Sequence, residues 1–419
     1  MSYETARLGD FVTFSNGRSS PERTGGGEFA VFGSNGPIGR SGDCNAPPLT
    51  TVIGRVGTYC GSVHFSKHSS WVTDNAIKAI ANQQDEGRFW HYALLMADLG
   101  RLRSGSGQPL INQRSLNSVE LPVPPRCERL RIAEVLGSLD DKIELNRRMN
   151  ETLEAMAQAI FRDWFVDFGP TRRKLEGAAD PLTIMGGLVQ DAERAQALAD
   201  LFPAALGDDG LPEGWKVAPI GDLTDIVGGS TPSTADPSYW NGGYHAWATP
   251  KDLSNLDGLV LFETERRLTD AGLKKITSGL SPEGTVLLSS RAPIGYLAIA
   301  ATKVAVNQGF IAIRPSVKLP TSYALFWCKE NMDLIKANAN GSTFMEISKR
   351  NFRPLPVVLP TAQIMQIFVD LVDPMFSRIE MNLRNSRTLS ETRDLLLPKL
   401  MSGQLRVGTN NESSLGSAT

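Results

Sequence analysis

Arg55 and Arg291 stand 236 positions apart, each just after a β-like run and beside glycines (Gly57 and Gly61 in one case, Gly295 in the other). A guanidinium offers a planar pair of N–H donors that fits a guanine edge or a phosphate bidentately. Asn75 and the pair Asn307-Gln308 align at an offset of 232, and side-chain amides can read adenine. The same residue types also serve as scaffold, an arginine tying loops together or an asparagine closing a turn. Residues that read different bases should differ between the two places, so recurrence favours a shared scaffold or phosphate role. Candidates that do differ are Arg40, Tyr59, Lys67, His68, Arg101 and Arg103 in the first half, and Tyr239, Trp240, Tyr244, His245, Lys251 and Tyr296 in the second. Two Gly/Ser loops, Gly105-Ser106-Gly107-Gln108-Pro109 and Gly341-Ser342-Thr343, precede Ile111 and Ile347. Backbone there can approach a phosphate, although the spacing is not that of a nucleotide loop. Arg114, Lys349 and Arg350, just beyond, are the stronger phosphate candidates.

These pairs belong to a wider correspondence. Gly105 and Gly341, Arg114 and Arg350, Pro124 and Pro360, Ile143 and Ile379, Asn146 and Asn382, and Leu153 and Leu389 also stand 236 apart. Gly9-Asp10 and Gly221-Asp222 stand 212 apart, so the second copy is longer by 236 − 212 = 24 residues in between. Solenoid units run ~20–50 residues; a period this long is a duplicated domain. Each copy opens with a Gly/Pro-rich part containing short β-like runs (51–54 and 76–80; 285–288 and 309–313) and an apolar helical stretch (89–99; 323–335). That pattern predicts a mixed α/β module.

Each copy then turns helical. Ile132, Leu136, Leu139, Ile143, Asn146, Asn150, Leu153, Ala157, Ile160 and Trp164 alternate spacings of four and three, the heptad seam of a coiled coil. Adding 236 gives Phe368, Val372, Met375, Ile379, Asn382, Ser386, Leu389, Arg393, Leu396 and Leu400. Asparagine in a seam costs stability and fixes register. Gly137-Ser138 and Asp373-Pro374 look like boundaries, since proline is welcome at a first helical position and costly inside. The expectation is a short helix (about 126–137; about 361–373) before a long one (about 138–166; about 374–397), the last limited by Pro398.

The 419 residues suit two domains. No run approaches the ~18 apolar residues of a membrane span, and the opening MSYETARLGD has no signal-peptide core, so the expected location is cytoplasmic. Four cysteines without a CxxC and four histidines give no metal-site spacing, and no cofactor loop is present. Net charge is −2; Lys+Arg minus Asp+Glu is 11 − 10 = +1 for residues 1–125 and 15 − 13 = +2 for 211–355. A stand-alone DNA binder is usually far more basic, so DNA binding here needs clustered charge or partner subunits. Asp167-Phe168-Gly169 lacks the companion motifs of a kinase, and no Asn-Pro-Pro-aromatic methyltransferase motif occurs.

Three strings then stand out in order: Arg162-Asp163-Trp164-Phe165-Val166-Asp167-Phe168; Leu211-Pro212-Glu213-Gly214-Trp215-Lys216-Val217 running on to Ile220-Gly221-Asp222; and Leu395-Leu396-Leu397-Pro398-Lys399-Leu400-Met401-Ser402-Gly403. With the duplicated frame they resemble the specificity subunit of type I restriction–modification enzymes over about residues 5–407. The first copy departs by opening at Leu8-Gly9-Asp10. The resemblance implies an α+β fold with two tandem target recognition domains, each followed by a long helix, the helices pairing as an antiparallel coiled coil. Its boundaries are recognition domains at 1–125 and 211–360 and helical spacers at 126–168 and 361–407; by composition, the Ala/Gly/Asp-rich 169–210 reads as a linker with some helix at 191–201 and the Gly/Asn/Ser-rich 408–419 as a disordered tail. The resemblance also implies a non-catalytic subunit. Each domain reads half of a bipartite target in double-stranded DNA, the helices dock two methyltransferase subunits, and motor–nuclease subunits join. Spacing agrees: about 24–29 helical residues span ~36–43 Å, against ~34–36 Å per turn of B-DNA. The rival readings are a self-contained DNA methyltransferase or nuclease, and a coiled-coil scaffold that binds no DNA.

Overall fold

The computed structural model describes residues 3–104, 109–256, 258–341 and 345–407. It is mixed α/β and divides into two compact units, Met1–Asn146 with Arg384–Thr419, and Arg147–Leu383. The division falls inside the two long helices, so each unit holds a stretch of both.

In the first unit, strands Val12–Asn16, Ala76–Ala81, Thr50–Gly54 and Val63–Ser66 lie in that order, all antiparallel. Gly36–Ser41, Phe29–Gly33 and Ser70–Val72 form a second sheet whose last pair is parallel. Glu4–Arg7 pairs with Glu120–Val123. The second unit repeats this plan. Its larger sheet runs Ile226–Val227, Phe310–Ile313, Val286–Ser289, Leu297–Ala300, with Val260–Leu261 added at the edge. Arg266–Leu268, His245–Ala248 and Val304–Val306 form the smaller one, and Lys216–Pro219 pairs with Pro356–Leu359. Thr50–Gly54 and Val286–Ser289 are buried at every position, which is why apolar and small hydroxyl residues follow one another there without alternation. The expected helical stretches are helices Gly87–Met96, and Thr321–Glu330 followed by Met332–Ala337.

The long helices differ from the expectation. Each is one helix of 40 residues, Arg126–Phe165 and Ala362–Met401; there is no short-then-long break, and none of the supposed caps is a cap. Gly137 lies inside the first, where an added Cβ would run into the Arg88 guanidinium. Its missing side chain makes room for an approaching arginine. Ser138 donates back to the Val135 carbonyl at 2.8 Å. Pro374 and Pro398 are exposed within the second helix, as are Asp370 and Asp394, whose carbonyls they leave without an intrahelical donor. Water can serve those carbonyls, while Phe368, Val372, Ile379, Leu397 and Leu400 are buried on the other face. Tertiary burial of that face overrides local helix breaking.

Residues 169–210, expected as a linker with some helix at 191–201, carry that helix as Ala192–Ala199 and two more, Gly169–Leu175 and Pro181–Ile184. Ile184, Met185, Leu198 and Phe202 pack into the core of the second unit with Trp164. Arg173 clamps Asp163 through two bonds of 2.8 Å. The expected tail, 408–419, lies outside the described residues. Among the described residues no helix is long and apolar enough to cross a membrane.

Candidate nucleic-acid interface

In the first unit, loops gather where strand Thr50–Gly54 ends. The Arg55 N–H donates to the Asn75 carbonyl at 2.9 Å, and the Ile111 N–H donates to the Arg55 carbonyl at 3.0 Å. The Cys60 thiol donates to that same carbonyl at 3.2 Å, and Arg103 Nε donates to the Cys60 carbonyl at 2.9 Å. Burial pushes the Cys60 pKa up, keeping the thiol a neutral donor. Arg55, Asn75 and Arg103 are thus brought together. Asn75 and Arg103 are exposed, and Arg55 Nη1 reaches the Asp74 carbonyl at 3.3 Å.

The equivalent edge of the second unit corrects the pairing by spacing. There the Ser290 N–H donates to the Gly309 carbonyl at 2.8 Å, and the Ile347 N–H donates to the Ser290 carbonyl at 3.0 Å. By this register Arg55 corresponds to Ser290 (offset 235), not Arg291, and Asn75 corresponds to Gly309 (offset 234), not Asn307-Gln308. A one-residue difference in a strand connection is invisible to a fixed offset, and a slip of one reverses which face a side chain takes. Recurrence therefore says nothing about a shared role for these residues. Arg291 pairs with Glu346 at 3.6 Å and lines an open cavity of about 560 Å³ with Lys336 and Met345. Asn307 Oδ1 accepts the Gly309 N–H at 2.8 Å, a turn-closing bond. Gln308 Oε1 accepts from Thr231 Oγ1 at 2.5 Å. Tyr296 is half-buried and packs on the neighbouring core.

Arg101, Arg114, Lys349 and Arg350 are exposed. Arg114 sits on the short helix Gln113–Asn117, and Lys349 and Arg350 on Lys349–Phe352; Asn112 and Ser348 cap the two helices. Lys67 is placed elsewhere: its Nζ donates to Asp141 at 2.6 Å, beside two Arg88 bonds of 2.8 Å. The Arg88 and Lys67 bonds hold the Asp141 carboxyl down at about 2. Lys67 therefore ties its strand sheet to the first long helix. Arg40 is also structural, donating to the Gly27 and Glu28 carbonyls at 2.6 Å. Tyr244 and His245 both bond Asp270, at 2.7 and 2.8 Å, and Lys251 pairs with Glu265. Tyr59 and His68 are exposed. Gly105–Gln108 and Ser342-Thr343 lie outside the described residues.

None of the seam positions is exposed. Ile132, Leu136, Asn146, Ile160, Ile379 and Asn382 are buried, and Leu139, Ile143, Leu153, Met375, Leu389 and Leu396 are half-buried. In the first unit Ile132 and Leu136 pack with Leu397 and Leu400. Arg393 bonds Asp140 at 2.7 Å, and Asn146 Nδ2 donates to Ser386 at 3.1 Å and Asn385 at 3.3 Å. In the second, Asn382 Nδ2 donates to Asn150 at 2.8 Å, and Phe161, Trp164 and Phe165 meet Phe368. One index rises as the other falls, so the helices run antiparallel within each unit. Sequence reasoning missed two further groups. One is the buried Glu86–Arg129 pair, which carries no local signal, since Glu86 follows Gln83-Gln84-Asp85 and Arg129 stands among Arg126, Glu128 and Arg131. The other is Arg266 stacked on Trp240 at 3.5 Å, signalled by Trp240 and Trp247 with no tryptophan at the matching place in the first copy.

One sheet plan built twice, each copy with a polar loop edge and a share of two antiparallel 40-residue helices, defines a class of duplicated domain-and-helix protein. Residues 2–155 and 212–387 match the type I restriction modification DNA specificity domain, and the chain belongs to that family, the specificity subunits of type I restriction–modification enzymes. It is 28% identical over 337 residues to the type I restriction enzyme HindI specificity subunit of Haemophilus influenzae, covering 72% of each chain. It is 37% identical over 172 residues to the MjaIX specificity subunit of Methanocaldococcus jannaschii, covering 39% of this chain and 40% of that one. A crystal structure of the S subunit of a type I restriction–modification system from M. genitalium shares the fold. Its TM-score is 0.60 at 14% identity, covering 95% of this chain and 96% of that one.

Proposed function

We propose that this chain is the sequence-reading, non-catalytic subunit of a cytoplasmic DNA methyltransferase and endonuclease complex. Residues 1–125 and 211–360 each read one half of a bipartite target in double-stranded DNA. The helical stretches within 126–168 and 361–407, paired as a coiled coil through the seam, set the gap between half-sites and dock two methyltransferase subunits. Motor–nuclease subunits join that core for restriction. The observation that supports this best is the repetition of one strand plan with different side chains at its loop edge. A fixed frame with variable loops is what two readers of different sequences require. The near-neutral charge of both copies fits a reader whose partners supply much of the phosphate grip.

The test is methylome sequencing of cells that express the chain with its methyltransferase partner. Replacing residues 1–125 by the matching domain of a relative should change one half-site only. Lengthening both helices by one turn adds ~5.4 Å and should widen the gap by about one to two base pairs at ~3.4 Å each. A swap that alters both half-sites, or an active lengthened chain with the old gap, overturns the reading.

A further inference from the structure

We propose that Arg266 reads a guanine in the half-site served by the second domain, an inference that rests on the two-reader function above. Arg266 opens strand Arg266–Leu268 and stands directly across from Trp247, so both side chains leave the same face of the sheet. Its guanidinium lies 3.5 Å from the ring centre of Trp240 and 5.4 Å from that of Trp247. The two indoles meet edge to face at 5.0 Å. Trp247 is buried, Arg266 half-buried. The indole N–H groups are spent on the loop beside them: Trp240 donates to the Ser233 carbonyl at 2.9 Å and Trp247 to the Ser230 carbonyl at 3.2 Å. That loop also carries Thr231, which holds Gln308. The stack and the candidate edge are therefore two sides of one loop.

Among the described residues the Arg266 guanidinium has no hydrogen-bond or ion-pair partner. Several arginines of this unit are held by partners. Arg314 is held by Asp225 and the Ser278 carbonyl, Arg353 by the Ile226 carbonyl, Arg291 by Glu346. A planar cation fixed on an aromatic face, with its N–H edge unspent, has lost little freedom left to lose on binding a planar pair of acceptors. Guanine O6/N7 and two phosphate oxygens both offer such a pair. The comparison of copies decides for the base. Trp247 corresponds in the paired strands to Val31, whose partner is Gly39. The first unit has Gly39 where Arg266 stands; its nearby tryptophan, Trp71, lies across from Val31 on the other side, and among the described residues no arginine stacks on it, whereas a phosphate grip common to both readers would be expected in both.

The experiment compares Arg266→Lys and Arg266→Gln in the assembled methyltransferase complex, with methylation measured on a library randomised at each target position. Both variants should lose discrimination at one guanine of one half-site, on the order of ten-fold or more, with every other position unchanged. Arg266→Lys keeps the charge but not the fork, so it separates the two acceptors. If Lys preserves preference and rate while Gln weakens all sequences alike, Arg266 grips phosphate and the proposal is overturned. Trp240→Phe keeps an aromatic face and should retain the preference, which guards against misfolding as the cause. A replacement of residues 211–360 runs in parallel. If it switches the half-site while both Arg266 variants read normally, this inference alone falls; if it switches nothing, the two-reader function falls and takes the inference with it.

Discussion

The two units seat the same long helices by opposite chemistry. In the first, a buried carboxylate does it: Glu86 accepts from Arg129 Nε and Nη2 at 3.0 and 2.8 Å and from Trp90 Nε1 at 3.0 Å. Arg129 lies over Phe11 and Trp90 at 5.2 and 5.6 Å and donates to the Pro124 carbonyl at 2.9 Å. In the second, the position 236 beyond Arg129 is Met365, buried. The glue there is aromatic: Phe161, Phe165, Tyr323 and Phe368 meet at ring separations of 4.9 to 6.0 Å. A duplicated frame thus constrains where the helix must be covered and leaves open what covers it. Desolvating a paired Glu and Arg roughly offsets their attraction, so an ion pair and an apolar cluster can serve equally at such a site.

The largest effects should come from breaking either seat halfway. Glu86→Ala leaves Arg129 charged and buried, which should destabilise the first unit by about 3–5 kcal/mol. Phe368→Ala should cost the second unit about 3–5 kcal/mol through the cavity it opens. Hydrogen exchange read by mass spectrometry should localise each loss to its own unit. The sharper experiment converts one seat into the other. Glu86→Leu with Arg129→Met removes both charges and should stay within about 2 kcal/mol of the parent. A double variant as unstable as Glu86→Ala would mean that the pair supplies net stability and that the two seats are not interchangeable.

A smaller difference should appear with pH. His91 is packed on the Phe65 ring at 4.8 Å, with Nδ1 buried and unpartnered. Burial pulls its pKa down to about 4; Asp140 opposes this, and His64, Arg393 and Arg88 reinforce it. The unfolded chain binds this proton below about 6.5, while the folded one resists it until about 4. Stability conferred by the neutral ring is therefore complete above about 6.5 and lost as pH falls toward 4, on the order of 3 kcal/mol at most. Thermal melts of the parent across that window should show the loss, and His91→Phe, which cannot titrate, should flatten it. A variant with the same acid limb would assign the limb to another group.

The helical frame was legible in the sequence because a four–three alternation over ten positions is a periodic signal, and periodic signals survive local exceptions such as Pro374. The continuity of the helices was not. Local rules placed breaks at Gly137 and Pro374, whereas a packed Arg88 and burial of the opposite face decide those positions. The loop edge was legible only in kind. Arg55, Asn75 and Arg103 do gather, but which residue of one copy matches which of the other depends on strand register. A fixed offset misses register by a single residue. Lys67, a surface cation by local pattern, is bound to Asp141, a contact 74 positions away that no local pattern carries.

The smallest effect tests the asparagines, where the two units agree rather than differ. Asn146 donates to Ser386 in the first unit and Asn382 to Asn150 in the second. A polar residue in a helix seam is less stable than leucine there, but it admits only the register in which its partner lies opposite. Asn146→Leu with Asn382→Leu should therefore raise the unfolding free energy by about 1 kcal/mol, on the scale of a neutral hydrogen bond exchanged for apolar contact, while relaxing how the helices align. If the helices set the target gap, methylation should then be found at a second gap length besides the original, with both half-sites unchanged. Methylome sequencing reads the gap and a denaturant melt reads the stability. A stabilised variant that keeps one gap would leave register to Leu136, Ile160 and their packing partners, and a destabilised one would show that the asparagine bonds outweigh the apolar contact that leucine adds.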